Sequence, residues 1–256
     1  MTRPAQFACV LFAILLATPA QVDPQATMEE RPKPIESFQY GVEWRLVRAG
    51  RATLSRTPRG ENGWLGELHL ESTGLVSRLY RVSDKYQSMF DPGFCVSATF
   101  LQAEEGRRRR ETTVTFHRDA KKSTYVERDL IKNSIVMEKE LDIPECVHDI
   151  VAALVRLRAM KLPPGQAIQL PMSDGKRMIS ARVEAQEKET VKTPAGTFSA
   201  VRYEAFLFND VLFKRKGRLY VWLTDDEQRL PVQIRAKLTF PVGTISLQLE
   251  KSPGPA

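Results

Sequence analysis

Alternation of apolar and polar residues with a period of two dominates the chain. Between residues 214 and 224, Leu219, Val221 and Leu223 alternate with Arg218, Tyr220, Trp222 and Thr224. After a polar turn at 225–229, Leu230, Val232, Ile234, Ala236, Leu238 and Phe240 alternate with Pro231, Gln233, Arg235, Lys237 and Thr239. Side chains change face at every strand residue, so this is a β-hairpin with one apolar face and one face of aromatics and cations. The same alternation at 38–47, 51–57 and 64–72, separated by turns at 48–50 and 58–63, predicts three strands of an antiparallel meander. Further strands are predicted at 85–90, 94–103, 107–117, 123–129, 134–143, 167–172, 177–187, 199–208 and 243–249. Asp91-Pro92-Gly93 and Ser173-Asp174-Gly175-Lys176 supply turn chemistry between them.

The period lengthens in two places. Leu75, Val76, Leu79 and Tyr80 fit one or two helical turns closing an end of the sheet. Val147, Ile150, Val151, Leu154 and Val155 recur at three and four residues, with Pro144 before them and Pro163-Pro164-Gly165 after. Asp149 suits the positive N-terminal end of that helix, and Arg156, Arg158 and Lys161 suit its C-terminal end. Its single apolar stripe must be covered, which suits it to plug an open side of the sheet. A sheet of about a dozen strands curls or splits because twist accumulates. The predicted fold is therefore mainly β: a strongly twisted antiparallel sheet curling into an incomplete barrel, with one principal helix packed against it.

Residues 1–20 read as an export signal, with Arg3 as the basic end, an apolar run at 7–17, and small residues up to a cleavage point after Ala20. Residues 21–36, with Pro24, Pro32 and Pro34, read as a solvated leader. A single β-rich domain is expected over 37–250 and a disordered tail over 251–256. No later stretch is apolar for long enough to form a membrane-spanning helix. The expected location is the periplasm.

Net charge is 38 − 31 = +7, and 37 − 31 = +6 once Arg3 is removed with the signal. A basic exported protein favours anionic partners such as phospholipid headgroups or acidic glycans, with peripheral membrane contact, and export argues against nucleic acid. Modest positive charge is also a plain solubility device. Cys95 and Cys146 are the only cysteines left after processing. In an oxidising compartment they are expected to form a disulfide, two buried thiols being the alternative.

Four segments resemble an exported bacterial family called domain of unknown function 3108. They are Tyr40-Gly41-Val42-Glu43-Trp44 with Ala49-Gly50, then Tyr86-Gln87-Ser88-Met89-Phe90-Asp91-Pro92. The third is Lys192-Thr193-Pro194-Ala195-Gly196-Thr197-Phe198, and the last is residues 215–226 with Leu230-Pro231-Val232. The resemblance covers residues 38–249. It implies an exported β-rich domain and supplies no catalytic residues.

No catalytic constellation is expected. His69, His117 and His148 lie on different elements, without metal-ligand spacing or a Cys-x-x-Cys, and no metal or cofactor is predicted. His148-Asp149 at the helix start has no nucleophile motif with it. Asp225-Asp226-Glu227 lacks the alternating oxygens of a calcium loop and reads as a solvated turn. The candidate ligand contacts are Arg218, Tyr220 and Trp222 with Arg235 and Lys237 opposite, since aromatics among cations can seat sugars or headgroups. The same face can instead pack under the helix, with Lys and Arg stems over the rings. Arg107 and Arg109 share one face of the densest basic run, Arg108 and Arg110 the other. Arg107 and Arg109 are added to the candidates, although edge protection also accounts for such a run. The function that follows is a non-enzymatic envelope protein binding an amphipathic or anionic molecule, lipid or glycan. The alternative is a structural or assembly module that contacts other envelope proteins.

Overall fold

A computed structural model describes residues 35–61 and 63–252. The expected signal and nearly all of the expected leader lie outside these residues. The chain begins with β1 (Glu36–Trp44), β2 (Val47–Arg59), β3 (Gly63–Ser72), α1 (Gly74–Leu79), β4 (Val82–Phe90) and β5 (Val96–Glu105). It continues with β6 (Arg108–His117), β7 (Lys122–Asp129), β8 (Ser134–Asp142), α2 (Ile150–Ala159) and β9 (Ala167–Ser173). It ends with β10 (Met178–Thr193), β11 (Gly196–Ala205), β12 (Gly217–Thr224), β13 (Pro231–Leu238) and β14 (Thr244–Lys251). All fourteen strands belong to one antiparallel sheet in the order β8-β7-β6-β5-β4-β3-β2-β1-β14-β13-β12-β11-β10-β9. The mainly β fold read from the alternation is the fold observed, and the sheet is not closed.

Its two ends nevertheless meet. The β9–β10 turn packs on the inner faces of β6 and β7, where a Cβ on Gly175 would lie 2.7 Å from Val114 and 2.8 Å from Tyr125. With φ at +82°, position 175 suits glycine twice over, for its backbone and for the close approach. Lys176 crosses the seam to Glu127 at 3.2 Å, and the Lys139 ammonium donates to the Lys176 carbonyl at 2.6 Å. Beside this turn, residues 147 and 148 form a strap across the gap, from the start of β5 to the end of β9. The amide of Val96 donates to the Val147 carbonyl, and the amides of His148 and Ser173 exchange bonds with the Pro171 and His148 carbonyls, each at 2.9 Å.

That strap explains why the principal helix begins three residues later than its apolar spacing predicts. Val147 is buried with Val96, Val114, Phe116 and Tyr125 rather than on the helix stripe. Asp149 then caps α2, its carboxylate accepting from the amides of Val151 at 2.9 Å and Ala152 at 2.7 Å. The disulfide joins Cys95 to Cys146, Cα atoms 5.0 Å apart, and fixes the strap to the start of β5.

α2 lies inside the curl. Val151 and Val155 pack with Phe38, Tyr40, Leu54 and Phe90 on one side; Ala153 and Leu157 pack with Leu170, Val183 and Val221 on the other. Gly66 lets the helix approach, since a Cβ there would stand 2.6 Å from Val151. Arg158 fastens the far end, donating to both carboxylate oxygens of Glu36 (3.1 and 3.0 Å) and to the Arg229 carbonyl at 2.9 Å. The short α1 differs: it sits where an end-closing turn is expected but buries none of its residues.

The disulfide closes a loop of 51 residues, for which chain entropy gives about 4 kcal/mol of stabilisation. Converting Cys95 and Cys146 to serine should lower unfolding free energy in urea by roughly that amount. Thiol titration of unfolded, unreduced protein cleaved after Ala20, and so lacking Cys9, should find no free thiol.

Candidate functional site

Where α2 does not fill the curl, between β3–β7 and the β9–β10 turn, a cavity of about 500 Å³ remains. Its floor is set by register. One cross-strand row runs Leu68, Tyr86, Leu101, Thr112, Glu127, and the next runs Leu70, Asp84, Ala103, Arg110, Asp129. Each strand contributes every second residue to this face, so the apolar middle and the charged end follow from the alternation. Ile150 of α2 and Phe213 of the loop before β12 complete the wall.

The charged end is graded. Glu127 accepts from Tyr125 Oη at 2.7 Å and pairs with Lys176 at 3.2 Å and Arg110 at 4.0 Å. Burial pushes its carboxyl up, but these donors and cations outweigh burial and hold it below the ordinary value. Arg110 also pairs with Asp129 at 3.2 Å. Arg108, at the mouth, makes no ion pair among the described residues. Asp84 lies deeper and is pushed up to about 6, first by burial and then by the charge of Glu105. Asp149 and Tyr86, bonded at 3.1 Å below the cavity, are both pushed up by burial. The arrangement is an apolar floor with a polar, partly cationic mouth. It holds no nucleophile activated by a base, and the described residues contain no group of three or more acidic, His or Cys side chains placed to hold a metal.

The residues singled out by sequence fall elsewhere. Alternation in the basic run holds, but Arg108 and Arg110 are the pair that lines the cavity. Arg109 points away, paired with Glu104 at 3.5 Å, and Arg107 is exposed in the turn before β6. Arg218, Tyr220, Trp222, Arg235 and Lys237 share the face of β12 and β13 opposite to Val221 and α2. This face is neither open nor under the helix. The long β10–β11 hairpin bends over it at a bulge between Ala185 and Lys188, and its tip docks where the Ala195 amide donates to the Leu249 carbonyl at 3.0 Å. Glu189 of that hairpin accepts from Trp222 Nε1 at 2.6 Å, while Arg218 bonds Glu204 at 2.7 and 2.6 Å. Arg235 stacks on Trp222, and Arg202, Arg218 and Lys237 surround Tyr220 at 5.3–5.7 Å from the ring centre. Both rings are buried. Their stacking partners are the protein's own cations.

His148 and Asp149 do structural work, the ring Nδ1 lying 3.0 Å from the Pro171 carbonyl. Asp226 caps its own turn by accepting from Thr224 Oγ1 at 2.7 Å and the Arg229 amide at 3.0 Å. The cavity was missed because it is made by rows across five strands. Parity at Arg108 and Arg110 was the one sequence signal that could have found its mouth.

The chain belongs to the family described as protein of unknown function DUF3108, whose sequence model matches residues 39–250. No curated protein matches it in sequence. Its fold is similar to that of a β-barrel-like protein of domain of unknown function DUF1849 from Brucella abortus, with a TM-score of 0.54 at 11% identity, covering 87% of this chain and 98% of that one. Weaker similarity links it to a candidate exported protein of YmcC-like fold from Bacteroides fragilis, with a TM-score of 0.32 at 12% identity over 88% and 98% of the two chains. A candidate lipoprotein from Parabacteroides distasonis stands at 0.31 and 10%, over 87% and 97%. The last two scores are too low to add to the fold assignment.

Asp84 makes stability depend on pH. Below about pH 4 it is protonated in both states. Between about pH 4 and 6 the unfolded chain ionises while the folded chain keeps its proton, so the native state loses stability as pH rises. Asp84→Asn should therefore match wild type at pH 4 and exceed it by about 1–2 kcal/mol at pH 7, after allowance for solvent screening of a partly buried group. Urea titrations at the two pH values read this directly, and a pH-independent difference would contradict it.

Proposed function

We propose that this is a non-enzymatic, exported envelope protein that binds an amphipathic molecule in the cavity between α2 and β3–β7. The observation that carries this reading is the cavity itself. At about 500 Å³ it falls within the size range of small-molecule sites, with an apolar floor and a few convergent polar groups at one end. An acyl or similar chain would lie along Leu68, Leu70 and Leu101. A polar or anionic headgroup would meet Arg108, which faces Glu105 across the strands but makes no ion pair with it. The export pattern at 1–20 and the disulfide both suit a periplasmic location.

A second reading, an assembly module, is favoured by the edge strand β8, which is exposed along nearly its whole length and carries Ile135, Val136 and Met137. Glu138, Lys139 and Glu140 follow on the same strand, charges of the kind that discourage edge-to-edge pairing. The edge therefore supports this reading less well than the cavity supports the first.

Protein isolated from its native envelope should begin near Gln21 and carry an amphiphile detectable by native mass spectrometry. Replacing Leu101 with Arg should abolish its retention, and Arg108→Ala should weaken rebinding of a lysophosphatidylglycerol probe about tenfold. Wild-type protein that retains no amphiphile and takes up none of the probe would contradict the proposal.

A further inference from the structure

Antiparallel connectivity puts the β1–β2, β3–β4, β5–β6, β7–β8, β9–β10, β11–β12 and β13–β14 connections at one end of the sheet. Ten of the fifteen large hydrophobic residues that stand exposed among the described residues belong to these connections or to the strand ends beside them. Leu46, Leu75, Leu79, Tyr80, Ile131 and Phe240 are between 52% and 92% exposed. The opposite end has only Ile35 before β1 and, in the β8–β9 connection, Ile150, which lines the cavity. So one rim of the curled sheet is apolar and the other is not.

Three features argue that the rim is built to meet something. Arg45 and Leu46 both have positive φ, at 51° and 68°, in a tight turn where Asn-Gly is the sequence that folds most readily. Placing a leucine there, almost fully exposed, serves neither the turn nor the core. The turn is also held rigid: Trp44 Nε1 donates to the Val242 carbonyl at 2.5 Å, and Arg45 donates to the Pro241 and Val242 carbonyls while lying between the Trp44 and Phe240 rings. Leu46 and Phe240 are thereby fixed outward together. In α1, Leu75 and Leu79 stand one turn apart on a helix with no buried residue.

The charge of the rim selects the partner. Exposed cations interleave with the apolar tips: Arg78 on α1, Arg107 beside Tyr80, Lys132 beside Ile131, and the run Lys214, Arg215 and Lys216 in the β11–β12 loop. Protein interfaces deplete charge at their centres, whereas bilayer surfaces are met by apolar and aromatic tips among Lys and Arg. We infer that this rim docks on the surface of a bilayer containing anionic lipid. Leu46, Leu75, Leu79 and Phe240 enter the boundary between headgroups and acyl chains, and the cations pair with headgroups. The inference stands whether or not the cavity holds a ligand.

Flotation of the purified protein with vesicles tests this. Protein should float with phosphatidylethanolamine vesicles containing phosphatidylglycerol and remain behind with phosphatidylcholine vesicles. The double substitution Leu46→Glu with Phe240→Glu should cut partitioning at least about tenfold. Changing Lys214, Arg215 and Lys216 to Ala should weaken partitioning by a similar factor and flatten its salt dependence. These side chains are exposed, so circular dichroism and melting temperature should not move. No flotation with anionic vesicles, or flotation indifferent to the Leu46 and Phe240 substitutions, would overturn the inference. So would a dimer in gel filtration that those substitutions dissolve while vesicles go unbound.

Discussion

Gly175 packed against Val114 and Tyr125 is the contact on which the rest of the structure depends. Strands twist with one hand, so a fourteen-stranded antiparallel sheet accumulates curvature until something stops it. Here the stop is a side-chain seam, and the edge strands β8 and β9 do not pair. A backbone approaching two side chains this closely leaves no room for even a methyl group, and the left-handed φ there excludes most residues independently. The strap at residues 147 and 148, tied down by the disulfide, reinforces the closure beside this seam.

The cavity is a consequence of that stop. A closed barrel of fourteen strands would be wider than one helix fills, and an open sheet would leave the helix uncovered. The seam holds the curl at a width that the helix fills against β1, β2, β9–β13 and the part of β3 and β4 around Gly66 and Phe90, but not beneath the remainder of β3–β7. Apolar packing on one side and a void on the other are therefore two outcomes of the same geometry. The 500 Å³ space opens to solvent, so its apolar floor stands uncovered where close packing would otherwise bury it.

Much of the fold was legible because alternation reports directly on strands. Most elements fall within a few residues of where the periods of two and of three to four place them. However, β10 runs six residues past its expected end at 187, and the first turn lies at Arg45-Leu46 while residues 48–50 belong to β2. Val147 misled because its spacing to Ile150 and Val151 suits a helix, while hydrogen bonds to β5 and β9 decide the matter through partners distant in sequence. The Tyr220–Trp222 face was legible as aromatic and cationic but not as covered. The Thr193-Pro194-Ala195-Gly196 turn reveals a hairpin tip, whereas the bend that lays it over Trp222 arises from a bulge at residues 185–188. Parity in the basic run separated Arg108 and Arg110 from Arg107 and Arg109 correctly. Which pair faces inward is fixed only by cross-strand register to Glu105 and Ala103.

The claim that a side-chain seam stops the curl is tested most directly by amide hydrogen exchange on Gly175→Val, with Gly165→Val as its control. Both positions have φ near +85°, so both variants carry the same kind of backbone strain, but a Cβ at Gly165 meets nothing within 4 Å. The account predicts faster exchange across Arg108–His117 and Lys122–Asp129 in Gly175→Val alone, because only there does the turn lift from β6 and β7. Equal exchange in those strands for the two variants would show that the sheet keeps its curl without the seam.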